Sequence, residues 1–354
     1  MRIVAVSRSL PGHSISGGME QIAHDLFSEW SRRGHEVTCV TTPGFRDHGQ
    51  AYNVVTVPGR SARYSSKWRR ALPGQVKALQ PDLVFSVSGG AHGPLVKNAL
   101  APVVMQAHGT SIDEIRTKLR SMRPLDWLKA AKNVLGLIGD LRSYRHYAVA
   151  VAVSDTVAES MKRFPKRLQA KMTRVIPNGV PLSANRSDRR DGPLKVLFVG
   201  RMKHEKGPDL LVGAARGSDW LVKIIGDGPE LTSLRESAGE NVEFTGKLGR
   251  ESVLMELELA NVLVAVSRRI EGLPLVVLEA LAAGVPCVVS DSIAHSFGSS
   301  IPDGLVVVEP DFAEVRRGVA AAINMTASLP PEFGIEVCAI RYEELFQKLV
   351  VGVD

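Results

Sequence analysis

The chain has 354 residues, 44% of them hydrophobic, and a formal net charge of +7, long enough for two domains with substantial cores. Three scattered cysteines without a Cys-x-x-Cys spacing exclude a disulfide framework or a cysteine zinc site, and fit a reducing cytosol. No stretch approaches the ~20 apolar residues that span a bilayer, and the first apolar run, Ile3 to Val6, is too short for a signal peptide, so a cytoplasmic protein is expected.

In chain order, Arg2-Ile-Val-Ala-Val-Ser7 reads as a strand. A loop ending in Ser16-Gly17-Gly18-Met19-Glu20 follows, then a helical pattern to Arg33, with Gly34 as its C-terminal cap. A glycine pair opening a helix lets backbone approach a ligand closely. His35 to Thr42 is the next strand. Val103-Val-Met-Gln-Ala-His108 places a histidine at the end of a predicted strand, where open α/β sheets bind their ligands. Ala150 to Ser154 and Val175 to Val180 read as architecture: strand ends and the chain crossing between domains. The run Asn185-Arg-Ser-Asp-Arg-Arg-Asp-Gly-Pro193 is polar and rich in turn formers, as a domain boundary should be.

The second half begins with the apolar strand Lys195 to Gly200. Arg201 and Lys206 flank the turn that follows, and Pro208 suits the first position of the next helix. Leu221 to Ile225 is a strand ending in the glycine turn Gly226-Asp-Gly228-Pro229. Glu271-Gly-Leu-Pro-Leu-Val-Val-Leu-Glu279 then sets two carboxylates eight positions apart around Pro274, which is expected at the first helical position. The open amides and dipole of that helix start face any anion at its entrance. Gly284-Val-Pro286 ends the helix, and Pro286-Cys-Val-Val-Ser290 reads as the following buried strand. Apolar runs alternating with helical segments throughout indicate parallel α/β layers.

These residues, in this order, resemble the glycosyltransferases of family 4 (glycosyl transferases group 1), which retain anomeric configuration and have the GT-B fold. The likeness rests on Gly200-Arg201-x4-Lys206-Gly207, on the Gly226–Gly228 turn and on Glu-x7-Glu at Glu271 and Glu279. It runs from Ile3 to the closing helix around Arg341 to Phe346. It implies two Rossmann-like domains with parallel sheets facing a central cleft: 1–183 for the acceptor, 184–335 for the nucleotide sugar, and 336–354 as a last helix crossing back. It implies transfer of a sugar from a nucleoside-diphosphate sugar, UDP- or GDP-linked, to an acceptor hydroxyl. The setting would be glycan, glycolipid or glycosylated-metabolite biosynthesis.

By the same resemblance Arg201, Lys206, Glu271 and His108 are the catalytic set. Gly17, Gly18, Gly226, Gly228, Pro229, Gly272, Leu273, Pro274, Leu275 and Glu279 bind the donor. Arg201, Lys206 and the amides after Gly18 and Glu271 would stabilise the departing diphosphate, Glu271 would orient sugar hydroxyls, and Glu279 would hold the ribose. No Asp-x-Asp metal motif occurs, so neither metal nor cofactor is expected. One stretch departs from the family. After Asp291 this chain reads Ser-Ile-Ala-His295-Ser-Phe-Gly298, where many members carry a Gly-Gly pair and a glutamate, and this leaves donor identity open. A nucleotide-sugar epimerase and a non-catalytic subunit of a transferase complex stand as alternatives.

Charge is uneven. Residues 1–180 hold 26 Lys and Arg against 12 Asp and Glu, a balance of +14, while residues 181–354 hold 18 against 25, or −7. The basic runs are Arg60 to Arg70 and Arg116 to Arg123, followed by the Leu125–Ile138 segment that mixes lysines, leucines and a tryptophan. That segment suits a helix on an anionic membrane surface presenting a lipid-linked acceptor, and equally a core-facing helix with a solvated basic face. Location at the cytoplasmic membrane face is thus one expectation. Aromatic residues at 5% and the lack of any recognition motif argue against a nucleic-acid partner.

Overall fold

The computed structural model describes residues 1–47, 49–91, 93–110, 143–182 and 192–352. The Arg116–Arg123 and Leu125–Ile138 segments lie outside these, as does most of the 185–193 run. The chain divides into two units, Met1–Gly179 with Ile335–Asp354, and Val180–Gly334. The division falls in the Val175–Val180 crossing, a few residues before the polar run.

In the first unit, seven parallel strands lie in the order β3-β2-β1-β4-β5-β6-β7. They are β1 (Arg2–Val6), β2 (Glu36–Thr41), β3 (Asn53–Thr56), β4 (Leu83–Val87), β5 (Val103–Ala107), β6 (Val149–Ala152) and β7 (Met172–Val175). Helices α1 (Gly18–Arg32), α2 (Ser66–Ala78), α3 (Pro94–Lys97), α4 (Asp155–Lys162) and, from the far end of the chain, Ile335–Val351 complete it. Side chains alternate across a strand, and the two faces of β1 serve two cores. Ile3 and Ala5 join one with Leu26, Phe27 and Trp30, while Val4 and Val6 join another with Trp68 and Leu72. Burial on both faces is why the inner strands β1, β4, β5 and β6 read as largely apolar runs.

The Ile335–Val351 helix belongs to the first core by chemistry as well as position. Trp30 meets Phe85 at 5.0 Å, Phe346 at 5.1 Å and Tyr342 at 5.6 Å between ring centroids, all edge-on. At the rim Arg33 grips the Glu343 carboxylate with Nε at 2.7 Å and Nη2 at 2.8 Å, and His35 Nε2 lies 3.1 Å from the same group.

The second unit has six parallel strands in the order β10-β9-β8-β11-β12-β13. These are β8 (Lys195–Val199), β9 (Leu221–Ile225), β10 (Val242–Gly246), β11 (Val262–Ala265), β12 (Cys287–Ser290) and β13 (Leu305–Val308). Helices α5 (Pro208–Ala215), α6 (Leu231–Ser237), α7 (Arg250–Leu259), α8 (Leu275–Ala282), α9 (Asp291–His295) and α10 (Phe312–Ala322) cover both faces, and the Ile335–Val351 helix is α11. Val196 and Phe198 of β8 point into one core and Leu197 into the other. The atypical stretch after Ser290 forms α9, with Ile293, Ala294 and Phe297 buried. No helix of the described residues is long and apolar enough to cross a membrane.

Each strand order reverses once, between β1 and β4 in the first unit and between β8 and β11 in the second. Loops leaving the carboxyl ends of two such strands diverge and open a crevice, the place where open α/β sheets bind ligands.

Candidate active site

In the second unit the two loops at that reversal carry three of the four predicted catalytic residues, Arg201, Lys206 and Glu271. The loop after β8 runs through Arg201 into a short 3-10 turn, His204–Lys206. Gly207 then turns left-handed (φ 70°) and hands over to Pro208 at the first position of α5, as the sequence predicts. A side chain at Gly207 would put its Cβ 2.2 Å from the Val266 carbonyl oxygen, so only glycine lets the two loops touch here. The loop after β11 is strapped down in return. Ser267 Oγ donates to the Glu205 carbonyl at 2.8 Å, and the Arg268 amide donates to the same oxygen at 3.0 Å. The Arg268 guanidinium forks onto Asp209 at 2.7 and 2.6 Å.

Between the loops lies Glu271, 8% exposed. Its Oε1 meets Lys206 Nζ at 2.8 Å, Ser267 Oγ at 2.9 Å and Arg269 Nε at 3.5 Å. Burial works to raise the Glu271 pKa, but Lys206 and Arg269, with the Lys206 and Ser267 hydrogen bonds, outweigh it, and the pKa ends below its ordinary value. The carboxylate is therefore charged at neutral pH. Arg201 sits exposed at the start of this loop, and its guanidinium has no partner among the described residues. Across 201–209 and 267–271 five Lys and Arg face three Asp and Glu, an excess of +2. Such a surplus in a strand-end crevice suits a diphosphate.

The glycine turn after β9 presses on the same loop. Gly226 (φ 138°) and Gly228 would bring a Cβ within 1.8 Å of the Gly200 oxygen and 2.5 Å of the Met202 oxygen. The turn thus fixes the backbone on both sides of Arg201, and Pro229 stands exposed beside it.

Pro274 is the N-cap of α8 and Leu275 its first residue, one position later than expected. A proline lacks the N–H that either position leaves unused, so sequence alone does not separate them. Gly272 is half-buried, Leu273 buries its side chain in the core shared by Val277 and Leu281, and Leu275 packs against that core. Glu279, 7% exposed, sits on the fifth residue of α8 and pairs with Arg250 Nη2 of α7 at 3.0 Å. The two glutamates thus have separate cations. Arg250, Arg268 and Arg269 were not among the sequence candidates; their carboxylate partners lie 29 or more residues away along the chain except for Glu271 beside Arg269, and no local pattern marks them.

In the first unit Gly17 caps α1 and Gly18 opens it, both exposed, after the loop that follows β1. The Glu20 carboxylate accepts from the Gly17 amide at 3.0 Å and from Ser9 Oγ at 2.8 Å, and Arg8 lies 3.9 Å away. The loop after β4 was missed by the sequence reading. Ser86 Oγ receives the Ala91 amide at 2.8 Å, Ser88 takes a positive φ of 52°, and a side chain at Gly90 would strike the Val6 oxygen at 2.4 Å. Its only signal is a Ser-Gly-Gly run after an apolar strand. His108 directly follows β5, half-buried, with Nε2 3.0 Å from Gln106 Oε1. Burial lowers its pKa to about 4, so the ring is neutral at physiological pH.

Among the described residues no group of three or more His, Cys, Asp or Glu is arranged to hold a metal ion. Two family models fit the chain: Glycosyltransferase Family 4 over residues 16–184 and Glycosyl transferases group 1 over residues 181–328. The chain is similar to the GDP-mannose-dependent alpha-(1-6)-phosphatidylinositol dimannoside mannosyltransferase of Mycobacterium tuberculosis, at 26% identity over 98% of this chain and 92% of that protein. Among solved structures it is similar to sucrose-phosphate synthase from Thermosynechococcus elongatus, with TM-score 0.72 and 18% identity over 99% and 100% of the two chains. It is also similar to Anabaena HepE in complex with UDP and glucose, with TM-score 0.65 and 17% identity over 99% and 96%. At these identities the solved structures speak for the fold alone.

Proposed function

Because this chain belongs to the group 1 and family 4 glycosyltransferases and has their GT-B fold, we propose that it transfers a sugar from a nucleoside-diphosphate sugar to an acceptor hydroxyl with retention of configuration. The observation that carries this reading is the cation surplus around buried, charged Glu271 where the strand order of the second unit reverses. When the glycosidic bond breaks, negative charge grows on the diphosphate oxygens. Arg201, Lys206 and the amides at the start of α8 stabilise it most at that moment, each worth about 3–4 kcal/mol in the transition state. Glu271 accepts hydrogen bonds from donor-sugar hydroxyls, and Glu279 from the ribose. His108, neutral at working pH, suits an uncharged sugar hydroxyl. A leaving phosphate oxygen takes the acceptor's proton on the face it departs from, so no side chain serves as a dedicated base and no divalent metal is needed.

The mycobacterial relative, by its name, uses GDP-mannose and acts on a phosphatidylinositol dimannoside, and HepE binds UDP and glucose. The former supports a nucleoside-diphosphate-sugar donor, UDP- or GDP-linked, and a lipid-linked acceptor, while HepE, alike in fold alone, says only that such a fold holds UDP.

The test is a panel of UDP-, GDP-, ADP- and TDP-sugars in thermal-shift and turnover assays, with and without EDTA, on wild type, Lys206→Ala and Glu279→Ala. One donor should stabilise the wild type, turn over in EDTA, and fail with both variants, and NMR of the product should show the donor's anomeric configuration. Binding that ignores both substitutions, or turnover abolished by EDTA and restored by metal, sinks the proposal.

A further inference from the structure

Lys206 faces two demands in this reading. It is the cation nearest Glu271, and it is also the cation meant for the donor's diphosphate. Among the described residues the hydrogen bonds and ion pairs of Glu271 fall on Oε1, from Lys206 at 2.8 Å, Ser267 at 2.9 Å and Arg269 at 3.5 Å. Oε2 has no protein donor among the described residues and is the oxygen left for a sugar hydroxyl. If a diphosphate draws Lys206 away, a carboxylate only 8% exposed keeps a neutral hydroxyl and one guanidinium. Without that guanidinium burial would drive it towards protonation, and a protonated Glu271 could no longer serve as a pure acceptor.

Resting on the donor reading above, we infer that Arg269 is a positioning residue that keeps Glu271 ionised and in place while Lys206 engages the diphosphate. Its placement fits the task. Nη1 lies 3.7 Å from Glu205, the residue beside Lys206, while Nε faces Glu271. One guanidinium thus ties the loop carrying Lys206 to the carboxylate that Lys206 leaves. A guanidinium cannot lose its proton, so its charge persists whatever Lys206 does. Of the other cations here, Arg268 is engaged on Asp209 at 2.6 Å and Lys203 lies near Glu205 at 3.9 Å, while exposed Arg201 makes no contact with Glu271 among the described residues.

The deciding experiment follows the Glu271 carboxyl carbon by NMR in protein labelled at glutamate side chains, with Glu271→Gln identifying its signal. Lys206→Ala mimics departure of the lysine. In that variant Glu271 should still titrate no higher than an ordinary glutamate. In Lys206→Ala/Arg269→Ala it should titrate at least about one unit higher, a tenfold change in proton affinity. Arg269→Lys in place of Arg269→Ala should reverse the rise, and Arg269→Gln replaces the alanine variant if that fails to fold. In the second arm Arg269→Ala alone should lower kcat about ten- to hundredfold, as a displaced catalytic group does, while UDP and GDP binding stays within about twofold.

Equal titration in the single and double Lys206 variants overturns the inference. So does lost diphosphate affinity with kcat retained, which would make Arg269 a phosphate contact. If wild type turns over no nucleotide sugar the donor reading falls, and the titration still decides whether Arg269 holds Glu271.

Discussion

The two places where strand order reverses are built from opposite materials. In the second unit the paired loops are dense in charge, and Lys206, Arg268 and Arg269 are locked onto Glu271, Asp209 and Glu205. In the first unit the corresponding loops are serines and glycines, Arg8 is turned back towards Glu20, and the nearby strand-end histidine is neutral. A parallel sheet offers both crevices the same backbone, so the side chains decide what each can hold. The charged crevice suits a polyanion, and the neutral one suits hydroxyl groups.

Arg201 gives the largest expected effect. Arg201→Ala should lower kcat/KM about 100-fold or more, the cost of losing one charge-stabilising donor. Because the side chain has no partner among the described residues, the melting temperature should stay put. A retained rate, or a destabilised protein with normal kcat, would mean that the charge surplus serves the fold instead. Next come the glycines. Gly207→Ala combines a left-handed φ with a carbonyl clash and should cost about 2–3 kcal/mol in the unfolding of the second unit. Gly17→Ala, at an extended φ of −153° with its nearest contact at 3.7 Å, should cost only about 0.5 kcal/mol as a poorer cap. Denaturant titration of both variants checks this, and similar costs would erase the contrast between a packed and an open loop.

The smallest effect is a pH dependence in the first unit. His108 has its folded pKa lowered to about 4 from 6.5. Between those values the unfolded chain binds a proton that the folded chain refuses, so stability should fall as pH drops from 6.5 towards 4 and level off below. In that window His108→Gln should show a shallower slope of melting temperature against pH. An identical slope would place the histidine in water rather than in a buried, neutral state.

Strands β1, β2, β5, β6, β8, β9 and β12 and the Gly207-Pro208 helix start were legible because their causes are local: burial on both faces, a missing N–H, a missing Cβ. Lys206 and Glu271 were legible through a resemblance of motifs, although their pairing was not, since 65 residues separate them. Arg250 and Arg269 left no trace in the sequence, where a lone arginine in a loop or at a helix start looks like any solvated cation. The Ser86–Gly90 turn was missed because Ser88 adopts its positive φ without a glycine to announce it. Pro274 was misplaced by one residue because two helix positions satisfy a proline equally.

The helix α11 has a consequence for how this chain is made. Trp30 and Phe85 are synthesised early, yet the aromatic partners that close over them, Tyr342 and Phe346, come from beyond the whole second unit. The intervening 180–334 can fold as soon as it emerges, being continuous in sequence. At ~5–20 residues per second, the ribosome takes roughly 8–30 s to make it. For that time the first unit must wait with a tryptophan and a phenylalanine uncovered, a window in which chaperone capture and aggregation compete with completion.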